Sequence, residues 1–346
     1  MLTYVVALVF IALVFDFING FHDSANSIAT IVGTRVLSPF AAVCWAAFFN
    51  FAALFTVGTA VAKAVSAGFV MPEYVTPNVI GGALTGAIVW NLITWYFGIP
   101  SSSSHALIGG FGGAAVAKAG FAAINWGPKW IETLTFIVLS PTLGMLAGLA
   151  LMITVYNVFQ KTRPAMVDRI GRPMQLASSA LLSLAHGGND AQKTMGIIVG
   201  LLFSVRELFA KEEGIFRHFY VANAGQIPLW VEVAAYLAIA TGTLFGGWRI
   251  VHTMGSRITR LRPVGGFAAE TGGALVILGA SQFGIPVSTT HTITGAIVGV
   301  GAAHRLSAVR WGLASRIVWA WVVTIPAAAI ISAGALLVLQ VVSPGT

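Results

Sequence analysis

Two short stretches carry most of the polar chemistry: GIPSSSSHALIGG at residues 98–110 and GIPVSTTHTITGA at residues 284–296. Each is a helix-breaking Gly-Ile-Pro followed by hydroxyls, one histidine and a Gly-rich apolar run. Beside a proline break, Ser102, Ser103 and Ser104, with Ser288, Thr289 and Thr290, can lie at a helix N-terminus. There the backbone N–H groups are free and the helix dipole favours negative charge, which suits a tetrahedral oxyanion. The same hydroxyls and freed carbonyl oxygens can instead ligate a small cation. Ser and Thr also serve as plain packing residues between membrane helices, but four serines in a row after a proline fit that reading less well. His105 and His291 follow the hydroxyls directly. Either could donate to an anion, relay protons or brace the broken segment against a backbone carbonyl; bracing fits slightly better.

The second set is acidic. Asp16, Asn19, Asp23 and Asn26 fall at spacings of 3, 4 and 3, which places all four on one helical face. Ser183, His186, Asp190 and Lys193 repeat that spacing in the other half. An acid at membrane depth costs a few kcal/mol or more and by default marks function. The competing reading for Asp190 is a structural ion pair with Lys193 at i, i+3. Asp23, Asn26 and Asp190 are therefore expected to hold a coupling cation or proton, and Asn189 and Lys193 to contribute to the anion site. Asp16 could equally lie near the membrane edge. Glu270 and Asn50 lie inside apolar runs. Glu270 could carry a proton, bind a cation or make a structural hydrogen bond.

The elements that position these residues are apolar helices. The 346-residue chain is 57% hydrophobic and 9% charged, with a mean hydropathy of +0.86. Soluble domains carry about 25% charged residues, so this is a polytopic membrane protein. The net charge of +8 is concentrated in short loops, as cytoplasmic loops require, and does not point to nucleic acid. A single cysteine, Cys44, excludes a disulfide framework. The N-terminal run lacks a basic region and a cleavage site and reads as a first span. Further spans are expected at 39–62, 79–97, 133–159, 174–203, 227–247, 264–283 and 311–341. Loops fall near Met71-Pro72-Glu73, at 118–132 and at 205–218. Basic stretches at 161–173 and 248–263 are expected to be cytoplasmic.

The chain repeats itself. GFHDSANSIATIVG (20–33) aligns with GGNDAQKTMGIIVG (187–200) at an offset of 167, matching Gly20, Asp23, Ile31, Val32 and Gly33. The two Pro/Ser segments align at an offset of 186, matching Gly98, Ile99, Pro100, Ser102, His105 and Gly109. Small and apolar residues align easily in membrane helices, but that does not explain Asp23 with Asp190 or His105 with His291. The expected organisation is a first transmembrane repeat at 1–160, a basic cytoplasmic linker at 161–173 and a second repeat at 174–346. Matching broken, hydroxyl-rich segments in two halves are the best sequence pointer to a transporter's binding site. No GxSxG, HExxH or Walker A motif is present, so neither an enzyme nor direct ATP coupling is expected. Asp and His residues are metal-ligand types, but without the tight spacing of a metal site.

NGFHDSANSIAT, IPSSSSHALIGG, AHGGNDAQKTMG and PVSTTHTITGA together resemble the PiT family of inorganic phosphate transporters, and WNLITWYFGIPSSSSH and GGWRIVHTMGSRI look like its bacterial members. The resemblance covers nearly the whole chain. It implies an all-α carrier of two inverted repeats with Pro/Ser-broken re-entrant helical hairpins, and about 10–12 membrane segments. It implies import of phosphate with Na⁺ or H⁺ and no other cofactor. The family's aspartates fall on Asp23 and Asp190, its hairpin hydroxyls on Ser102 to Ser104 and Ser288 to Thr290, and its second-half acid on Glu270. Asn50 stands where many eukaryotic members carry an acid, which leaves Na⁺ or H⁺ open. Some bacterial relatives with this pattern move sulfate, so a sulfate permease is the alternative; a divalent-metal carrier or channel is the alternative of another class. The expected partners are phosphate, alone or as a metal–phosphate complex, the lipid of a bacterial inner membrane, and a second copy in a homodimer.

Overall fold

Long apolar runs bounded by Gly, Pro and Ser fold here into helices, and short interruptions aim those helices inward. The structure, a computed structural model, describes residues 1–343. The first half contains α1 (Leu2–Gly33), α2 (Pro39–Ala52), α3 (Ala60–Gly68), α4 (Pro77–Phe97), α5 (Ser103–Ala119) and α6 (Pro128–Phe159). The second contains α7 (Pro164–Ser204), the short α8 (Arg206–Ala210), α9 (Leu229–Phe245), α10 (Trp248–His252), α11 (Pro263–Gln282), α12 (Thr289–His304) and α13 (Trp311–Val342). No strand occurs among the described residues. Six helices are long and apolar enough to cross a membrane, or eight if each of two bent pairs counts as one span. Large side chains such as Phe97 (68% exposed) and Ile330 (74%) face outward, as lipid contact requires.

The expected span at 39–62 is broken, and beyond the expected span at 227–247 the basic stretch at 248–263 begins as helix set at an angle. α2 and α3 meet at 81°, and α9 meets α10 and the π turn Thr253–Arg257 at 64°. Apolar composition does not register a bend. What permits it is that the freed backbone groups find partners elsewhere. Gln192 Oε1 on α7 accepts from the amides of Val61 and Ala62 at the start of α3, at 2.8 and 3.2 Å. The Gly247 amide at the start of α10 donates to Ser24 Oγ on α1 at 2.5 Å. In each case the break in one half is capped by the polar helix of the other.

The halves interlock reciprocally. α1 lies against α9 and α7 against α2; α6 lies against α12 and α13 against α5. At the two central crossings a glycine removes the Cβ. A Cβ on Gly20 would stand 2.2 Å from Ile239 O, and one on its repeat partner Gly187 2.6 Å from Asn50 O. Two apolar clusters flank the polar layer. One gathers Val5, Leu8 and Leu107 with Met195 and Ile198; the other gathers Ile28 and Ile31 with Met254 and Ile277. Each draws on both halves.

The stretch at 161–173 is mostly helical. Only residues 160–163 lie outside a helix, because Pro164 occupies the first turn of α7, where its missing N–H is not needed. At 41 residues, α7 is roughly 60 Å long. That exceeds a bilayer's hydrocarbon core of about 30 Å, and Arg169 and Arg172 lie near its N-terminal end. The 205–218 stretch holds α8 and a 3₁₀ turn at Gly214–Phe219.

Candidate functional site

The two Pro/Ser segments form matching arms. α4 stops at Gly98 and α11 at Phe283, followed by Gly284; both glycines have positive φ, 65° and 66°. The chain then runs extended through Pro100 or Pro286 and starts a new helix. Ser102 caps α5 by accepting from the His105 amide at 3.2 Å, and Ser288 caps α12 by accepting from the His291 amide at 3.2 Å. The sequence match between the arms is thus a match in local structure. The first amides of each arm helix have no acceptor within the helix, and the hydroxyls stand beside them.

Asp16, Asn19, Asp23 and Asn26 are all buried on one face of α1, as are Ser183, His186, Asp190 and Lys193 on α7. Helix α1 meets the second-half arm: Asn26 Nδ2 donates to Thr289 Oγ1 at 3.1 Å and to Thr290 Oγ1 at 2.9 Å. Thr289 passes the chain on, donating to Asp190 Oδ2 at 3.2 Å. Helix α7 meets both arms through Lys193. Its Nζ donates to Ser104 Oγ at 2.5 Å, to the Val287 carbonyl at 2.7 Å and to Asp190 Oδ1 at 2.7 Å. An ammonium has three hydrogens, so these three acceptors use them all.

Asp23, Asp190 and His186 each offer a donor atom, and these atoms lie within 4.8 Å of one another. Two carboxylates this close in a medium of low polarity repel strongly unless a positive group or a proton intervenes. Asp190 has Lys193 and, at 3.2 Å, His186 Nε2. Asp23 has His22, whose Nδ1 donates to its Oδ1 at 2.5 Å, while His22 Nε2 lies 2.9 Å from the Thr94 hydroxyl. His186 Nδ1 is also within 3.2 Å of Ser27 and 3.3 Å of Asn50. Asp190 (0% exposed) and Lys193 (2%) are buried within the bundle.

Not every expected site residue joins this cluster. Glu270 accepts from Thr30 at 2.5 Å, Ser178 at 2.5 Å and Gln175 at 2.9 Å. Thr30 is seven residues past Asp23, about 10 Å along α1, so this is a separate station joining α1, α7 and α11. Asn189 donates to Ser281 Oγ at 2.7 Å, at the end of α11. His105 and His291 pack edge to face at 4.7 Å, and His291 stacks on Trp321 at 3.9 Å. Trp321 Nε1 donates to the Pro100 carbonyl at 3.1 Å. The two arms therefore touch through their histidines.

Several contributors carry weak sequence signals. His186 stands on the face already read for Asp190, and His22 is marked locally only by adjoining Asp23. Gln192, Thr94 and Trp321 act across more than a hundred residues or from within apolar runs, and no local pattern marks them.

Broken helices that end on a buried, charged cluster inside an apolar bundle define a membrane transport protein rather than an enzyme. The family model described as the phosphate transporter family matches residues 19–167 and 159–332. A "Probable low-affinity inorganic phosphate transporter" of Rhizobium meliloti is 57% identical over 328 residues, covering 95% of this chain and 94% of its own. A Bacillus subtilis protein of the same description is 44% identical and covers 97% of each. The solved structure of "The sodium-dependent phosphate transporter" superposes with a TM-score of 0.83 at 25% identity, over 98% of this chain and 100% of that one. The chain belongs to the phosphate transporter family.

Proposed function

We propose that this protein imports inorganic phosphate by symport with a coupling cation, Na⁺ or H⁺, through alternating access in the inner membrane of a bacterium. The observation that carries the reading is the meeting of two hydroxyl-rich arm N-termini with Asp23 and Asp190 in one buried cluster. Phosphate sits on the arm amides and the hydroxyls of Ser102 to Ser104 and Ser288 to Thr290. Lys193 lies beside it on Ser104, while Asn189 stands apart on Ser281. The coupling ion sits at Asp23, Asn26 and Asp190, with Glu270 on α11 as a separate acid, bonded to Thr30 two turns past Asp23 on α1.

The coupling is electrostatic. Phosphate brings one to two negative charges at neutral pH, and a bare pair of carboxylates repels it. A cation or proton on the aspartates removes that repulsion, so each ligand makes room for the other. Relatives named as phosphate transporters, one of them sodium-dependent, support the substrate and leave both ions in play. The group of Asp23, His186 and Asp190 favours a second reading, in which a divalent ion enters with phosphate as a neutral complex.

The test is uptake of radiolabelled phosphate into proteoliposomes with Na⁺ and pH gradients imposed separately and sulfate as competitor. Uptake driven by one gradient and indifferent to excess sulfate is the expected result. Sulfate uptake without phosphate uptake transfers the site to a sulfate permease. Metal uptake without phosphate makes the protein a metal carrier. Asp23→Asn and Asp190→Asn are each expected to abolish coupled uptake while the protein still inserts; normal gradient-driven uptake in both sinks the coupling scheme.

A further inference from the structure

We propose that the Lys193 ammonium is a resident cation, filling in the second half the position that a mobile coupling cation takes in the first. Aligning the repeats places Lys193 on Asn26, each three residues after its aspartate. The contacts reproduce the alignment across the halves. Asn26 on α1 bonds Thr290 of the second arm, while Lys193 on α7 bonds Ser104 of the first arm, and those hydroxyls are themselves repeat partners. The same station is built twice, once with an amide and once with an ammonium.

The surroundings of the ammonium are those of a bound cation. A carboxylate, a hydroxyl and a backbone carbonyl freed by the arm's break surround Nζ, all oxygens and all within 2.7 Å. Its three hydrogens are consumed by these acceptors, so in this geometry none is left for an anion. A lysine at this depth is costly unless fully paired, and here it is. Asp23 has no Lys or Arg within salt-bridge distance among the described residues; its partner is His22. A lysine ammonium is thus covalently supplied at Asp190, while Asp23 has a histidine and no lysine or arginine in contact, which leaves its station to a mobile cation. The carrier takes one mobile cation fewer at this pair of stations than a fully symmetric site would take. The fixed charge also holds both arms, so it offsets phosphate without leaving with it.

This deepens the symport reading, and its primary test needs no phosphate. Thermal unfolding of purified wild type and Lys193→Asn is compared in Na⁺ and in choline at equal ionic strength. Asn at this position copies the first half and vacates the oxygen cage. The variant is expected to gain stabilisation by Na⁺ beyond that of wild type, or to be monodisperse only in Na⁺. In liposomes its phosphate uptake is expected to acquire a Na⁺ requirement about tenfold or more beyond that of wild type. Lys193→Met, with no oxygen or charge, is expected to be rescued by no cation. A Lys193→Asn protein with wild-type cation response in both assays overturns the proposal. The converse variant gives an arm that does not depend on how Lys193→Asn folds. Asn26→Lys fixes an ammonium at the first station and is expected to erase the wild-type response to its own coupling cation; retention of that response overturns the proposal. Absence of phosphate uptake by wild type with the Na⁺ stabilisation intact rejects the substrate instead.

Discussion

Asn26 donates to Thr290 at 2.9 Å across 264 residues of chain, joining the polar face of the first half to the broken arm of the second. With the mirrored contact of Lys193 to Ser104, it makes each arm answer to the opposite half's polar helix. Movement of one arm therefore cannot leave the other helix unaffected. A bilobed carrier needs such a link if the two ligands are to move together.

Asn26→Ala removes both hydroxyl contacts and leaves Thr289 and Thr290 with one partner fewer in a dry site. Unmade buried hydrogen bonds cost about 1–3 kcal/mol. The expected outcome is a rise of roughly tenfold to a hundredfold in the coupling-cation concentration for half-maximal phosphate uptake. Radiolabelled uptake against cation concentration, with surface expression matched, checks it.

Glu270 accepts three hydrogen bonds from three directions, two of them hydroxyls at 2.5 Å. Glu270→Gln replaces one acceptor oxygen with an NH₂ that faces donors. The expected outcome is a loss of about 1–3 kcal/mol of stability, read as a lower unfolding temperature in detergent. Glu270→Ala, which strands all three donors, is expected to lose more. Equal unfolding temperatures for wild type and both variants would show that this station is not load-sharing.

Gly20 and Gly187 are repeat partners at reciprocal crossings, each Cβ position facing a backbone carbonyl. Gly20→Ala and Gly187→Ala are each expected to destabilise by about 1–3 kcal/mol, because backbone cannot yield as a side chain can. Gly279, with open space around its Cβ position, is the control, and Gly279→Ala is expected to leave unfolding unchanged. Thermal melts of the three variants side by side make the comparison.

Trp321 both stacks on His291 and holds the Pro100 carbonyl of the other arm. Trp321→Phe keeps a ring for the stack but loses the N–H. Its expected effect is a fall in phosphate uptake by about threefold to tenfold, in line with one hydrogen bond of about 1 kcal/mol, with expression preserved. Trp319, exposed on the same helix, serves as control, and Trp319→Phe is expected to transport normally.

The sequence by itself determined the local facts. Periodicity put Asp16, Asn19, Asp23 and Asn26 on one face, and a helix face is a property of spacing alone. Gly-Ile-Pro marked where α4 and α11 stop, and the hydroxyls after it marked the region of the next helix N-terminus. The repeated motifs named the residues that correspond. What the tertiary structure decided is which half each residue serves. Lys193 reaches Ser104, 89 residues away, and Asn26 reaches Thr290, 264 away; no periodicity carries information over such distances. The bend after α2 was hidden for the same reason. Hydropathy is blind to direction, and the cap that permits the first bend comes from Gln192, 131 residues downstream. Lysine could be read as a charge in the site, but only packing shows its three hydrogens already spent, because saturation is a property of the partners and not of the residue.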